Sequence, residues 1–234
     1  YPMRSRLMDL LFPPRCVLCR HGLTGKGPLC PDCAADIRQS YRAQGARPVE
    51  GCKDTDAALL YRGKVRRALV ACKFQDKPTL GAWGGGMVAA CLLRHQPDWK
   101  PDLVTFVPTT LGHWWKRGFN LSRLLAREAA KRCGLPCVPT LRRRWFARSQ
   151  LRMQGEAARW HNAAHTYSPG KHVQIAGKRV VLVDDILTSG ATAAACAALL
   201  RQMGAAEVYF LCLAKTPSHA KKMTEKGENL PGKS

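Results

Sequence analysis

Two sets of residues in this chain have types and spacing that chemistry can use. The first is Asp184-Asp185, followed after two residues by Thr188, Ser189, Gly190, Ala191 and Thr192. A hydroxyl-rich loop with one glycine, running straight into a helix, makes an anion cradle. Free backbone N–H groups and the positive end of the helix dipole converge there. Two carboxylates beside such a cradle would repel a phosphate unless they hold something else, such as sugar hydroxyls or Mg²⁺. The second set is Cys16-x₂-Cys19 and Cys30-x₂-Cys33. Each pair closes a knuckle presenting two thiolates, and together they complete a tetrahedral Zn²⁺ shell. A pair of redox dithiols is the alternative, but neither pair sits between a strand and a helix. With the shell closed, the ion is expected to be structural, and His21 stays outside it. It organises a segment too short to form its own core.

The acid pair needs a strand to carry it. Val180-Val181-Leu182-Val183 is an aliphatic run with three β-branched residues, the pattern of a parallel strand buried on both faces. The pattern predicts a helix over 191–203 and a further strand over 207–214, giving a right-handed β–α–β unit. Upstream, strands are expected over 56–61 and 102–107, and helices over 3–12, 34–43, 64–72, 79–94 and from 121 onward. Residues 44–55 read as a polar linker containing an unexplained thiol, Cys52. Gly84-Gly85-Gly86 inside the 79–94 helix predicts a kink or a close backbone approach. Residues 109–120 are long enough for a lid. Trp114 and Trp115 there are open to two readings: a stacking platform for bases, or packing of the lid on the core.

The run from Val180 to Thr192 resembles the PRPP-binding signature of type I phosphoribosyltransferases. It is neither a Walker loop nor a Rossmann fingerprint. The resemblance implies that Asp184 and Asp185 meet the ribose hydroxyls, directly or through Mg²⁺. Leu187, Thr188, Ser189, Gly190, Ala191 and Thr192 would form the run around the 5′-phosphate. It also implies a contact between Lys73, of Lys73-Phe74, and the pyrophosphate. Arg117-Gly118-Phe119-Asn120, after a strand ending Val107-Pro108, is similar to the ComF/GntX family, where Thr109-Thr110 replace a second Val-Pro and Leu121 replaces a Gln. Arg159, Asn162 and Tyr167 match a further family pattern, with Tyr for Phe. The similarity spans nearly the whole chain. It implies an α/β fold, a type I phosphoribosyltransferase-like parallel sheet flanked by helices, behind a small N-terminal zinc-binding module. The expected division is 1–50 for the zinc module, 51–215 for the phosphoribosyltransferase-like domain and 216–234 for a flexible basic tail.

Charge adds a second theme. The chain has 38 Lys+Arg against 16 Asp+Glu, a formal net charge of +22. Self-repulsion of that size calls for an anionic partner larger than PRPP, and single-stranded DNA is the natural one. Lys116, Arg117, Arg142, Arg143, Arg144, Arg148 and Arg159 are the candidate contacts, interleaved with Trp145, Phe146 and Trp160. A generally basic protein is the plainer alternative. The 11 cysteines fit a reducing cytosol, with four in metal-ligand spacing and seven scattered through expected helices and strands. No apolar run reaches bilayer length and no signal-peptide pattern opens the chain, so a cytoplasmic location is expected. Three functions follow. The first is a ComF-like protein of DNA uptake that binds single-stranded DNA and PRPP, with other uptake proteins as partners. The second is an active phosphoribosyltransferase on a nitrogenous acceptor, with Asp184 and Asp185 as its catalytic pair. The third is a non-catalytic PRPP sensor. Thr188 cannot act as a general base where purine enzymes with such a loop carry an acid.

Overall fold

Strand β5 (Arg179–Leu187) is the axis of the fold. Val180, Val181, Leu182 and Val183 are wholly shielded from solvent, as an aliphatic run must be when both faces of a sheet are covered. The computed structural model describes residues 14–23, 27–41, 46–71, 77–109, 119–143, 166–171 and 173–217. Chain order is α1 (Pro31–Tyr41), β1 (Asp54–Leu60), α2 (Gly63–Ala71), α3 (Lys77–Trp99), β2 (Leu103–Phe106), α4 (Leu121–Arg132), β3 (Leu141–Arg143), β4 (Tyr167–Pro169), β5, α5 (Ala191–Gln202) and β6 (Glu207–Lys215). The main sheet is all parallel, in the order β1-β6-β5-β2. The expected helix over 3–12, most of the lid and the tail from 218 lie outside the described residues.

Side chains alternate across the strands with the period of two that a pleat imposes. Val181, Val183, Tyr209, Leu211 and Leu213 face α3, α4 and the cysteine knuckles. Val180, Leu182, Val208, Phe210 and Cys212 face α5 and the segment around Val49. Sequence placed the acid pair after the strand, but β5 runs on to Leu187. Its neighbour β6 continues alongside, pairing Asp184 with Cys212, Ile186 with Ala214 and Leu187 with Lys215. The carboxylates therefore sit on a hydrogen-bonded strand and inherit its rigidity.

The glycine triplet serves the close approach. A Cβ at Gly85 would lie 2.4 Å from the Cβ of Glu128, and one at Gly84 would lie 2.8 Å from Leu125 Cδ2. Helix α3 spans the triplet as a single helix, and its bare backbone lets α4 pack against it. Two expectations change. Residues 46–53 are not a free linker: Val49 is buried, and Ala46 and Cys52 pack on α5. Residues 141–143 are not part of a loose basic run. They form β3, paired antiparallel with β4 as Leu141↔Pro169, Arg142↔Ser168 and Arg143↔Tyr167. Among the scattered cysteines, Cys91, Cys196 and Cys212 lie in helices or a strand, whereas Cys52, Cys133 and Cys137 lie in connections. No helix among the described residues is long and apolar enough to cross a membrane.

Candidate functional site

Asp184 stands near the carboxyl end of β5, where Asp184 Oδ1 accepts from Ser122 Oγ at 2.8 Å and from the Asp185 N–H at 2.9 Å. Ser122 is brought there by α4, whose start is fixed by Asn120. Asn120 Oδ1 caps the helix by accepting from the Arg123 N–H at 3.2 Å, and Asn120 Nδ2 donates to the Val107 carbonyl at 3.1 Å. The asparagine thus ties the end of β2 to the start of α4. Leu121 beside it is a core residue at 7% exposure, so an apolar side chain fits there. Burial, and then the neighbouring Asp185 charge, push the Asp184 carboxyl up to about 8. No ion pair reaches Asp184 among the described residues. Both causes favour the protonated form, and a cation or a set of hydroxyl donors would favour the carboxylate.

The loop beyond is shaped as an anion cradle. Gly190 has φ +83°, in the left-handed region where other residues are strained, and it caps α5 with no side-chain bond. Ser189 Oγ accepts from the Ala191 N–H at 3.4 Å, a long contact that leaves the first turn accessible to a ligand. Thr188 and Thr192 are exposed, Ser189 is half-buried, and Ala191 is buried. Leu187 is buried at 3% exposure and its carbonyl accepts from the Thr216 N–H at 3.0 Å. Its part in the run is to anchor the loop.

Two further residues converge here without having been singled out as site residues. Tyr167, on β4, is buried, hydrogen-bonds the Thr192 side chain and lies near Asp184; burial first, then the nearby negative charge, hold its hydroxyl far above the usual range. Arg47 donates to the Thr188 carbonyl from the segment before β1. Arg47 has no local sequence signal, and the family pattern that ends at Tyr167 does not say that it reaches this loop, because each arrives from a distant stretch of chain.

The basic candidates divide. The Arg143 guanidinium lies 5.8 Å from the centre of the Tyr167 ring, and Arg142 Nε donates to Ser168 Oγ at 3.2 Å. Both are therefore held on the β3–β4 ribbon beside the loop, with Arg142 exposed. Lys73, Lys116, Arg117, Arg144, Arg148 and Arg159 lie outside the described residues, as do Trp114 and Trp115.

The four knuckle cysteines place their Sγ atoms within 4.8 Å of one another, and Cys19 and Cys30 approach to 3.5 Å. Sulfurs about 2.3 Å from one tetrahedral zinc would be about 3.8 Å apart, so the set fits the ion. Burial would raise the Cys16 thiol, but the backbone N–H groups of Cys19, Cys30 and Leu18 outweigh it and lower it to about 6. Burial and the neighbouring thiols raise Cys19 and Cys33 instead, so a cation is what would hold the four as thiolates together. Cys16, Cys30 and Cys33 belong to the same buried cluster as Leu59, Leu211 and Leu213, so this centre also supports the sheet.

Another acid, Asp56 on β1, is bonded at Oδ2 by Arg94 and by His95 Nε2, both at 2.9 Å. His95 stacks on Trp99, and Trp99 stacks on Tyr209, with centroids 4.2 and 4.6 Å apart. Burial would raise the Asp56 carboxyl, but the bonds from His95 and the Ala57 N–H, with the neighbouring cations, hold it below the ordinary range.

With this geometry in place, similarity to known proteins is informative. A double zinc ribbon domain matches residues 7–47 and a phosphoribosyl transferase domain matches residues 122–227. DNA utilization protein YhgH of Salmonella typhi is 32% identical over 122 residues, 50% of this chain and 50% of that protein. Competence protein F of Haemophilus influenzae is 28% identical over 116 residues, 49% of this chain and 51% of that protein. An amidophosphoribosyltransferase of Pseudomonas aeruginosa is 31% identical over 127 residues, 54% of this chain and 23% of the enzyme. The chain thus spans about half the length of YhgH and Competence protein F. The architecture is a type I phosphoribosyltransferase fold, a parallel sheet flanked by helices, preceded by a zinc ribbon with four cysteines.

Proposed function

The chain is a ComF-family homologue that joins a double zinc ribbon to a phosphoribosyl transferase domain, and we propose that it handles single-stranded DNA and binds PRPP at the carboxyl end of β5. The observation carrying the PRPP reading is the rigid Asp184-Asp185 pair directly preceding a loop whose Gly190 opens the first turn of α5. Asp184 and Asp185 hold the ribose hydroxyls, or a Mg²⁺ that their hard oxygen ligands suit. Backbone N–H groups and hydroxyls from Thr188 to Thr192 take the 5′-phosphate, and Lys73 takes the pyrophosphate. When bound, Mg²⁺ neutralises charge on that leaving group.

The net charge of +22 and the names of two relatives support the DNA reading. Arg142, Arg143 and Arg144 contact the strand's phosphates in this reading, with Lys116, Arg117, Arg148 and Arg159 extending the track, in a cytoplasmic protein. Binding to a single-stranded oligonucleotide is then expected to weaken steeply with salt. Charge reversal of Arg142, Arg143 and Arg144 together is expected to flatten that dependence. Binding that ignores both salt and the reversal contradicts this reading.

A second reading is supported by the amidophosphoribosyltransferase relative: transfer of the ribose 5-phosphate group to a nitrogenous acceptor with loss of pyrophosphate. The paired carboxylates would stabilise an oxocarbenium-like transition state. Thr188 offers no general base, so the acceptor must arrive as a competent nucleophile. Pyrophosphate release from PRPP·Mg²⁺, measured with nucleobases and with single-stranded DNA, tests it. Release above the acceptor-free rate supports transfer, and none with any acceptor leaves the binding reading alone.

A further inference from the structure

We propose that Arg47, delivered by the segment that closes the zinc-ribbon match and leads to β1, is a binding residue that adds a cation to the 5′-phosphate site. The inference rests on the ribose-phosphate reading above. Its starting point is that a nominally polar stretch docks firmly on α5. Val49 is 3% exposed, its N–H donates to Thr55 Oγ1 at 3.3 Å, and its carbonyl accepts from the Cys52 N–H at 3.1 Å. Gly51 has φ +80°, and a Cβ there would stand 3.2 Å from the Cβ of Ala197. The small residues Ala193, Ala194 and Ala197 on α5 leave room for this belt, and Val49 packs with them.

The belt fixes where Arg47 reaches. Its guanidinium donates to the Thr188 carbonyl and lies 3.7 Å from where a Cβ on Gly190 would be. A guanidinium carries five N–H donors in a planar fork. One holds the loop by its backbone, and Arg47 is exposed, so the fork has further donors to offer phosphate oxygens, the pairing for which arginine is suited. The free N–H groups of α5 and the Arg47 charge then act on the same anion. A lysine would keep the charge but lose the fork.

The test is calorimetry of the full chain with ribose 5-phosphate, comparing the unsubstituted protein with Arg47→Ala and Arg47→Lys. Each variant's urea midpoint is measured alongside. Loss of a charge-assisted bond to phosphate is expected to weaken Arg47→Ala by about tenfold or more. Arg47→Lys should be intermediate, and all three midpoints should agree. Affinity of Arg47→Ala within about twofold of the unsubstituted chain overturns the proposal. So does a loss shared equally by both variants together with a lowered midpoint, because that marks a structural role. If the unsubstituted chain does not bind ribose 5-phosphate, the reading of the site fails, and this inference with it.

Discussion

Asp56 and Asp184 are both carboxylates carried on strands of the same sheet, and their surroundings move them in opposite directions. Asp56 is met by Arg94, His95 and the Ala57 N–H, and stays ionised below the ordinary carboxylate range. Asp184 is met by a serine hydroxyl, a backbone N–H and a second acid, and its carboxyl rises to about 8. Cations meet one acid within the protein, whereas among the described residues no ion pair reaches the other. An acid held by cations is what a structural cluster looks like, and one whose pKa is raised beside a helix start is a candidate ligand site.

The comparison breaks most visibly at Asp56. Asp56→Asn removes the carboxylate charge that faces Arg94 and His95, and chemical denaturation should report a loss of about 2–4 kcal/mol, somewhat under the ~3–5 kcal/mol of fully buried pairs because Arg94 is partly exposed. A loss below about 0.5 kcal/mol would make the cluster ornamental. Gly85→Ala should cost about 1–3 kcal/mol by overpacking, since its Cβ would collide with Glu128 and push α4 outward. Because α4 carries Ser122, the same variant should also weaken ligand binding at Asp184.

Asp184→Asn should act in the opposite sense to Asp56→Asn. In the ligand-free protein the folded pKa of Asp184 lies above its ordinary value of 3.8. Its contribution is therefore fully present below about pH 4 and is lost as pH rises toward about 8. Thermal unfolding at about pH 3.5 should find variant and parent similar, whereas at about pH 8.5 the variant should melt higher by a few degrees. For Asp56, with its pKa lowered, the contribution is present above about pH 4 and lost as pH falls through the folded value. An Asp184→Asn variant less stable than its parent at high pH would show that the acid is already compensated.

What sequence disclosed follows the range of the forces involved. The cysteine knuckles and the Val180-to-Thr192 run are local patterns, and both were legible. The extension of β5 through the acids was not, because it depends on β6 continuing beside it. Arg142 and Arg143 looked like part of a loose basic stretch since their partners, Tyr167 and Ser168, lie far along the chain. Val49 was hidden among polar neighbours, and with it the route by which Arg47 reaches Thr188. The Asp56 cluster offered one overlooked signal: an acid within an apolar strand, and His95 and Trp99 one helical turn apart.

The central claim is that the Asp184-Asp185 pair on β5 receives ribose phosphate. Calorimetry with PRPP·Mg²⁺ on the zinc-loaded chain and on Asp184→Asn with Asp185→Asn tests it most directly. Saturable binding by the parent, at least about a hundredfold weaker in the double variant with zinc content unchanged, is the predicted result, since both hydroxyl or metal contacts are removed. Equal binding by the two proteins, or none by the parent, would contradict it.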